Sequence, residues 1–329
     1  MKSEIITETL SNDKKLSTTI SKQEISSNSF KAELRWMSIT MITVVHMVAV
    51  YTLLTFPYFE KKRTFLFTYF MTQMVCFGVT AGAHRFWTHR SYKAKWPLRL
   101  ILLYCFYTSG QNSVYNWVRD HRVHHKYSET NADPHNSDRG FFFSHVGWLM
   151  MQKHPEVIKR GNQIDMSDIY ADPIVAFGEK YFYFFKGFLG FIIPIIIPIY
   201  FWNETLYYSI TMSLLRYAYT LNCTWSVNSA AHMWGYKPYD KTIAPVENKI
   251  VAYLALGEGW HNYHHVFPYD YKCAELGKYS LNWTTFMIDM FAKIGWAYDL
   301  KQPSSEIINI MRTKRGELSP SFAVSKKLK

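Results

Sequence analysis

Long uncharged stretches alternate with short charged hinges in the first third of the chain, and the alternation returns after residue 180. Met37 to Tyr58 carries no charged side chain, and neither does Thr64 to Ala83, a run of twenty residues. As helices, both are long enough to cross the hydrocarbon core of a bilayer. Only Phe59-Glu60-Lys61-Lys62-Arg63 lies between them, so they form a hairpin. Tyr181 to Trp202 is again apolar, with Pro194 and Pro198 expected to bend it, and Thr205 to Asn228 is apolar apart from Arg216. Only Asn203-Glu204 joins that second pair. The pattern predicts an all-α integral membrane protein with four transmembrane helices, at about 37–58, 64–83, 181–202 and 205–228. His46 falls inside the first span and is expected to be a packed, hydrogen-bonded residue. Leu98 to Gly110 is apolar but too short to cross, so it is expected to dip into the interface.

The intervening Gln111 to Lys180 is polar and charged and contains the turn-rich Asn131-Ala132-Asp133-Pro134-His135-Asn136, which predicts a helical cap outside the bilayer. Four crossings put the N-terminus, the cap and everything after residue 228 on one side. That side holds nearly all the Lys and Arg, which marks it as cytosolic, although Lys61, Lys62 and Arg63 oppose the rule. Residues 1–36, rich in Ser, Thr, Lys and Glu and without the apolar core of a signal peptide, read as a disordered tail. Residues 37–300 read as one membrane domain and 301–329 as a basic tail. Gly257 and Gly259 precede a last polar helix and Pro268 ends it, after which an amphipathic stretch runs to about Trp296.

Composition sharpens this picture in three ways. Aromatic residues make up 18% of the 329, a density suited to the water–lipid boundary, where Tyr and Trp keep one end wet. The formal net charge of +12 must sit on the solvent-facing part, where it would attract anionic lipid or an acidic partner. No nucleic-acid-binding motif accompanies it. The four cysteines are scattered singly, mostly in apolar surroundings, and imply no disulfide framework.

The chemistry lies in the histidines. His121-Arg122-Val123-His124-His125 and His261-Asn262-Tyr263-His264-His265 repeat one H-x-x-H-H spacing, and i, i+3 and i+4 share a helix face. His84 and His89 close the second span, and His232 follows Asn228 by four positions, so nine of thirteen histidines fall in four clusters. Imidazole donors suit iron, copper or zinc rather than magnesium or calcium. Nine are too many for one ion, and two adjacent metals in a membrane protein point to redox chemistry on oxygen. A metal transporter would place its ligands at mid-membrane, whereas these lie beyond the span ends. A zinc hydrolase would use three protein ligands and leave most of the set idle.

The chain resembles the membrane acyl-CoA desaturases, the stearoyl-CoA desaturase family, and their insect members in particular, over about Met37 to Leu300. The resemblance is carried by HRFWTH at 84–89, WVRDHRVHHK at 117–126, NADPHNSDRGFFFSHVGW at 131–148, NSAAHMWG at 228–235, GEGWHNYHHVFP at 257–268 and IGWAYDL at 294–300. It implies a di-iron enzyme of the endoplasmic reticulum membrane that uses oxygen, with electrons from cytochrome b5 and its reductase, to introduce a double bond into a fatty acyl-CoA. Lys326-Lys327-Leu328-Lys329 also fits a two-lysine retrieval signal for that compartment. By resemblance, a kinked acyl chain is held near Gln111, Trp117 and Thr224, while Arg119, Asp120, Lys153 and Trp225 match positions that contact the CoA end. Two departures put head-group contacts in doubt: Trp36-Met37-Ser38 stands where the family usually has Trp-Arg-Asn, and Gln152 where an arginine commonly precedes Lys153. His135, His145 and His154 are expected to be structural or to support the ligands.

Helix geometry then divides the ligands. Neighbouring residues point about 100° apart, so His124 and His125 do not easily serve one ion, whereas His121 and His125 do. With the two helices facing each other, His121, His125 and His264 are expected to share one metal with His84 and His89. His261, His265 and His124 are expected to share the other with His232, and Asn228 to complete it through a water. A related histidine-cluster hydroxylase would begin alike but return oxygen to the carbon. The span parity predicts that glycosylation tags at either terminus stay unmodified in microsomes; a glycosylated C-terminal tag would show the span count to be wrong.

Overall fold

The computed structural model describes residues 32–275 and 281–317, so most of the expected N-terminal tail and the closing lysines lie outside the described residues. Helix α1, Trp36–Thr55, turns Met41, Val44, Met47, Val50 and Leu54 outward, as a helix facing lipid does. Helix α2, Lys62–Phe77, runs on without a break into a π-helical segment, Gly78–Thr88. Together with Phe182–Trp202, which widens to a π turn over Phe188–Ile192, these make three helices long and apolar enough to cross a membrane among the described residues.

A fourth long helix, Leu206–Asn228, packs on α1 and α2 and is more polar than the others. Its polar side chains face inward: Ser209, Thr211, Ser213, Arg216 and Thr220 are all buried. The Arg216 guanidinium is held by backbone, donating to Thr108 O at 3.1 Å and Gly190 O at 2.6 Å. The two short hairpin loops meet. Glu204 Oε1 lies 2.8 Å from Lys61 Nζ, and Thr64 donates to Glu204 Oε2 at 2.6 Å. The Lys61 charge that opposes the charge rule is therefore neutralised by a partner from the other loop.

The apolar stretch from Leu98 to Gly110 becomes helix α3, Trp96–Thr108, with Pro97 in its first turn. Leu98, Leu102 and Phe106 are buried in the main core with Phe77, Val79, Val118 and Ile288, while Trp96, Leu100 and Tyr104 face out. Close approach of α3 to the π-helical segment depends on Gly78, where a Cβ would stand 2.3 Å from the backbone of Cys105 and Phe106. All four cysteines are free and buried.

The polar region expected to form the cap is built on α4, Val114–Tyr127, whose first turn is closed by Ser113 Oγ accepting from Asn116 N. Short helices Pro155–Gly161, Ser167–Tyr170 and Pro173–Lys180 pack beside it. After the fourth long helix come Ala230–Met233, Lys249–Leu254, His261–Val266 and Trp283–Lys293. A two-stranded antiparallel ribbon, Lys93–Ala94 with Ala297–Tyr298, ties the later part of the cap to the end of the π-helical segment. Within the region read as a basic tail stands a helix, Ser305–Arg315. Its Ile308 and Met311 pack on Tyr239, Tyr263 and Phe267, a helical spacing of apolar residues that the basic composition obscured.

Substituting Gly78→Ala is expected to destabilise the protein by about 1–3 kcal/mol or more, because the methyl group meets backbone rather than a side chain that can move. Thermal unfolding in detergent checks this; a variant as stable as the parent would contradict the packing.

Candidate metal centre

Four elements bring the histidines together. On α4, His121, His124 and His125 fall on one face, and the short helix His261–Val266 does the same for His261, His264 and His265. His84 and His89 need more than an α-helix, in which five residues put two side chains about 140° apart. The π-helical segment solves this: His89 N donates to His84 O at 3.1 Å, and the wider turn brings the two rings to 4.9 Å in an edge contact. His232, in Ala230–Met233, completes the set.

The nine side chains form two groups. His84, His89, His121, His125 and His264 make one, and His124, His232, His261 and His265 the other; within each, the ligand nitrogens lie within 4.8 Å of one another. An ion with nitrogen ligands at about 2.1 Å spans about 4.2 Å between opposite ligands, so each group has the dimensions of one coordination shell. Neighbouring Nε2 atoms face each other at 3.0 Å for His84 and His264, His264 and His125, and His261 and His232. His89 Nε2 is buried with no hydrogen-bond partner. His125 and His265 stack at 4.1 Å across the boundary, which makes the groups immediate neighbours. The donor set fits a pair of first-row transition metals.

Carboxylates behind the rings fix their orientation. His124 Nδ1 lies 3.0 Å from both oxygens of Asp133, and His232 Nδ1 lies 2.7 Å from Glu129 Oε1. A proton on each Nδ1 leaves the lone pair on Nε2. The loop that carries these acids is wound tightly, with Glu129 at φ +56° and Asp133 accepting from the backbone N–H of Glu129 and His135. Withdrawal from water lowers the His124 pKa, yet Asp133 outweighs it and leaves that ring raised. In the other group, Glu258 Oε2 is 2.9 Å from His84 Nδ1, close enough for an ion pair though poorly angled for a hydrogen bond. Its Oε1 accepts from the fully buried Arg85, at 3.0 Å from Nε and 2.8 Å from Nη2. Burial raises the Glu258 pKa, but Arg85 outweighs it and holds the carboxyl below its usual range. Glu129 and Glu258 are absent from the sequence-level candidates; the visible signal was an acid near each histidine cluster.

The structure joins three of the expected substrate residues. Gln111 Nε2 donates to Thr224 Oγ1 at 3.0 Å, and Trp117 Nε1 donates to Gln111 Oε1 at 3.1 Å. The Trp117 indole stacks on His121 at 5.0 Å, so this polar chain lies against the five-histidine group. Arg119, Asp120 and Lys153 form a second cluster, with Arg119 Nη2 3.1 Å from Asp120 Oδ1 and Lys153 paired to the other oxygen. Trp225 follows Thr224 on the same helix. It is buried, stacked on His46 at 5.8 Å, and lines an open groove of about 650 Å³ with Ile42, Met47 and Met150. Adjacent positions on a helix diverge by about 100°, which separates it from Thr224. Asn228 is half-buried at the last position of its helix, four residues before His232.

His46 is hydrogen-bonded, to Ile42 O and to Asn222 at 2.8 Å each. His145 bridges Asn222 and Ser229, His135 packs on His124 at 4.4 Å, and His154 accepts from Glu156 N at the start of Pro155–Gly161. At the departures, Trp36 and Met37 are exposed, Ser38 is half-buried, and Gln152 donates to Glu33 Oε2 at 2.8 Å.

Known proteins match this chain at high identity over most of its length. A family model described as fatty acid desaturase matches residues 63–280. The chain belongs to the fatty acid desaturase family. It is similar to an acyl-CoA Delta-9 desaturase of Acheta domesticus, 54% identical over 83% of this chain and 76% of that protein. An acyl-CoA Delta(11) desaturase of Choristoneura rosaceana is also 54% identical, over 78% of this chain and 77% of its own length. The stearoyl-CoA desaturase of Homo sapiens is 50% identical over 87% of this chain and 79% of that protein. The family match begins near the start of α2 and so covers every histidine of both groups.

In this desaturase-family chain, His121, His125, His261, His264 and His265 are all pushed well below the ordinary imidazole range, first by burial and then by neighbouring imidazoles. Their neutral forms are the metal-binding ones. A folded-state pKa below the unfolded value gives stability that is present above the unfolded pKa and is lost as pH falls below it. Metal-stripped protein is therefore expected to lose thermal stability progressively as pH drops below about 6.5. Melting temperatures that stay level from pH 7 to 5 would contradict the burial of these rings.

Proposed function

We propose that this chain is an oxygen-dependent acyl-CoA desaturase that introduces a double bond into a saturated fatty acyl-CoA, of the Δ9 or Δ11 type, in lipid or pheromone biosynthesis. The observation that carries the reading is the position of Trp117, which stacks on His121 and donates to Gln111, itself bonded to Thr224. A bend in an acyl chain held at that polar bridge would lie beside the five-histidine group.

Two iron ions would fit, one held by His84, His89, His121, His125 and His264, the other by His124, His232, His261 and His265, with Asn228 assisting through a water. When bound, they supply the oxygen activation that removal of hydrogen from an unactivated methylene demands. The protein's own contribution is aim and exclusion of water. Asp133, Glu129 and Glu258 hold rings by their outer nitrogens, and the rings turn their inner nitrogens to the centre. Gln111, Trp117 and Thr224 fix the bend, and Arg119 and Lys153, flanking Asp120, offer cations to the phosphates of the CoA head. Trp225, which lines the groove beside α1, joins Arg119, Asp120 and Lys153 at the CoA end.

Leu206–Asn228 is the fourth crossing: its 23 residues span about 34 Å, and its polar side chains are turned away from lipid. Both termini and the cap then face the cytosol from the endoplasmic reticulum membrane. Cytochrome b5, fed by its reductase, delivers electrons to that basic face.

Expression in a desaturase-deficient yeast, with gas chromatography of its lipids, tests the reading. New monounsaturated acyl chains are expected, and their loss with one or both irons in His261→Ala. Hydroxylated chains without alkenes, or full activity in the variant, would overturn it. Reduction by cytochrome b5 is further expected to slow as salt screens the basic cap over about 8–10 Å; a rate indifferent to ionic strength would contradict that docking.

A further inference from the structure

The two histidine groups differ in the charge behind them. Around the four-histidine group stand two carboxylates, Asp133 on His124 and Glu129 on His232. Among the described residues neither is paired with an arginine or lysine. Asp133 meets only imidazoles and backbone N–H groups, and Glu129 adds a hydroxyl, Ser137 Oγ at 3.3 Å. Around the five-histidine group stands one such carboxylate, Glu258, and the fully buried Arg85 neutralises it. Two uncompensated negative charges therefore face one site and none faces the other.

We infer that the ion in the four-histidine group has the lower reduction potential of the pair, so that it is oxidised first and the five-histidine ion is reduced first. The inference rests on the two-iron reading above. Iron(III) exceeds iron(II) by one unit of charge, and a nearby carboxylate favours it through an interaction that falls only as 1/r. The fifth imidazole of the other group is a neutral donor, so it offers less discrimination between the two charges. A hydrogen bond from Nδ1 to a carboxylate also makes the ring a stronger donor through Nε2. The loop that positions both acids holds Glu129 in the left-handed region, a conformation unfavourable for a non-glycine residue. Glu129 is a positioning residue by this account, acting on the metal through His232.

The test uses full-length protein loaded with iron(II) under anaerobic conditions and titrated with ferricyanide. One equivalent removes one electron per chain, converting one iron(II) to iron(III) and ferricyanide to ferrocyanide. Pulsed electron paramagnetic resonance then counts imidazole nitrogens on the ferric ion. Four are expected; five, or a single two-electron step, would overturn the inference. In Glu129→Gln and in Asp133→Asn, which keep an acceptor oxygen but remove the charge, the first oxidation is expected to shift to more positive potential while the second moves less. No shift in either iron-loaded variant would also overturn it. The wild-type nitrogen count decides alone, so it holds even where a variant fails to bind iron. Protein that binds no iron at all would instead remove the two-iron reading.

Discussion

The structure depends on keeping nine imidazoles aimed at two points inside a protein. A buried imidazole with a free lone pair is costly unless its other nitrogen is anchored and a positive charge meets the lone pair. Glu129, Asp133 and Glu258 supply anchors from three different stretches of chain, and the long helices hold those stretches in place. Arg85 links the tasks: its guanidinium binds Glu258, Asn282, Thr285 and the backbone of Tyr271, fastening the end of the π-helical segment to the last histidine helix and its flanks.

That fastening places both histidine groups at one end of a long apolar helix. α2 carries His84 and His89 to the cap as a continuation of one helix, and the groups form where that helix meets α4 and His261–Val266. At the far end, Glu204 holds Lys61 and Thr64, so the two hairpins are pinned there as well. Between those pins, buried Arg216 joins its helix to α3 and to the π turn of Phe182–Trp202 through backbone carbonyls.

Much of this was legible in the sequence, for physical reasons. Repeated H-x-x-H-H spacing is a statement about helix faces, and the separation of His124 from His125 follows from about 100° per residue. The long apolar runs, two of them uncharged and one carrying only Lys186, correspond to the three apolar helices. Other features lacked a local signal. The five-residue gap between His84 and His89 matches no α-helical face, and only the π-helical backbone reconciles it. Glu129 follows the first histidine helix in an ordinary turn-like stretch, and its role depends on His232, more than a hundred residues away. The groove that Trp225 lines is assembled with Ile42, Met47 and Met150 from distant stretches of chain, so it too had no local signal. Nor does identity choose between Δ9 and Δ11 chemistry, because relatives of both names are 54% identical to this chain.

The most direct measurement of the central claim is anomalous scattering at the iron absorption edge from crystals of the iron-loaded protein. Two peaks are predicted, one enclosed by His84, His89, His121, His125 and His264 and the other by His124, His232, His261 and His265. A single peak, or an ion bound by both His124 and His125, would contradict the account.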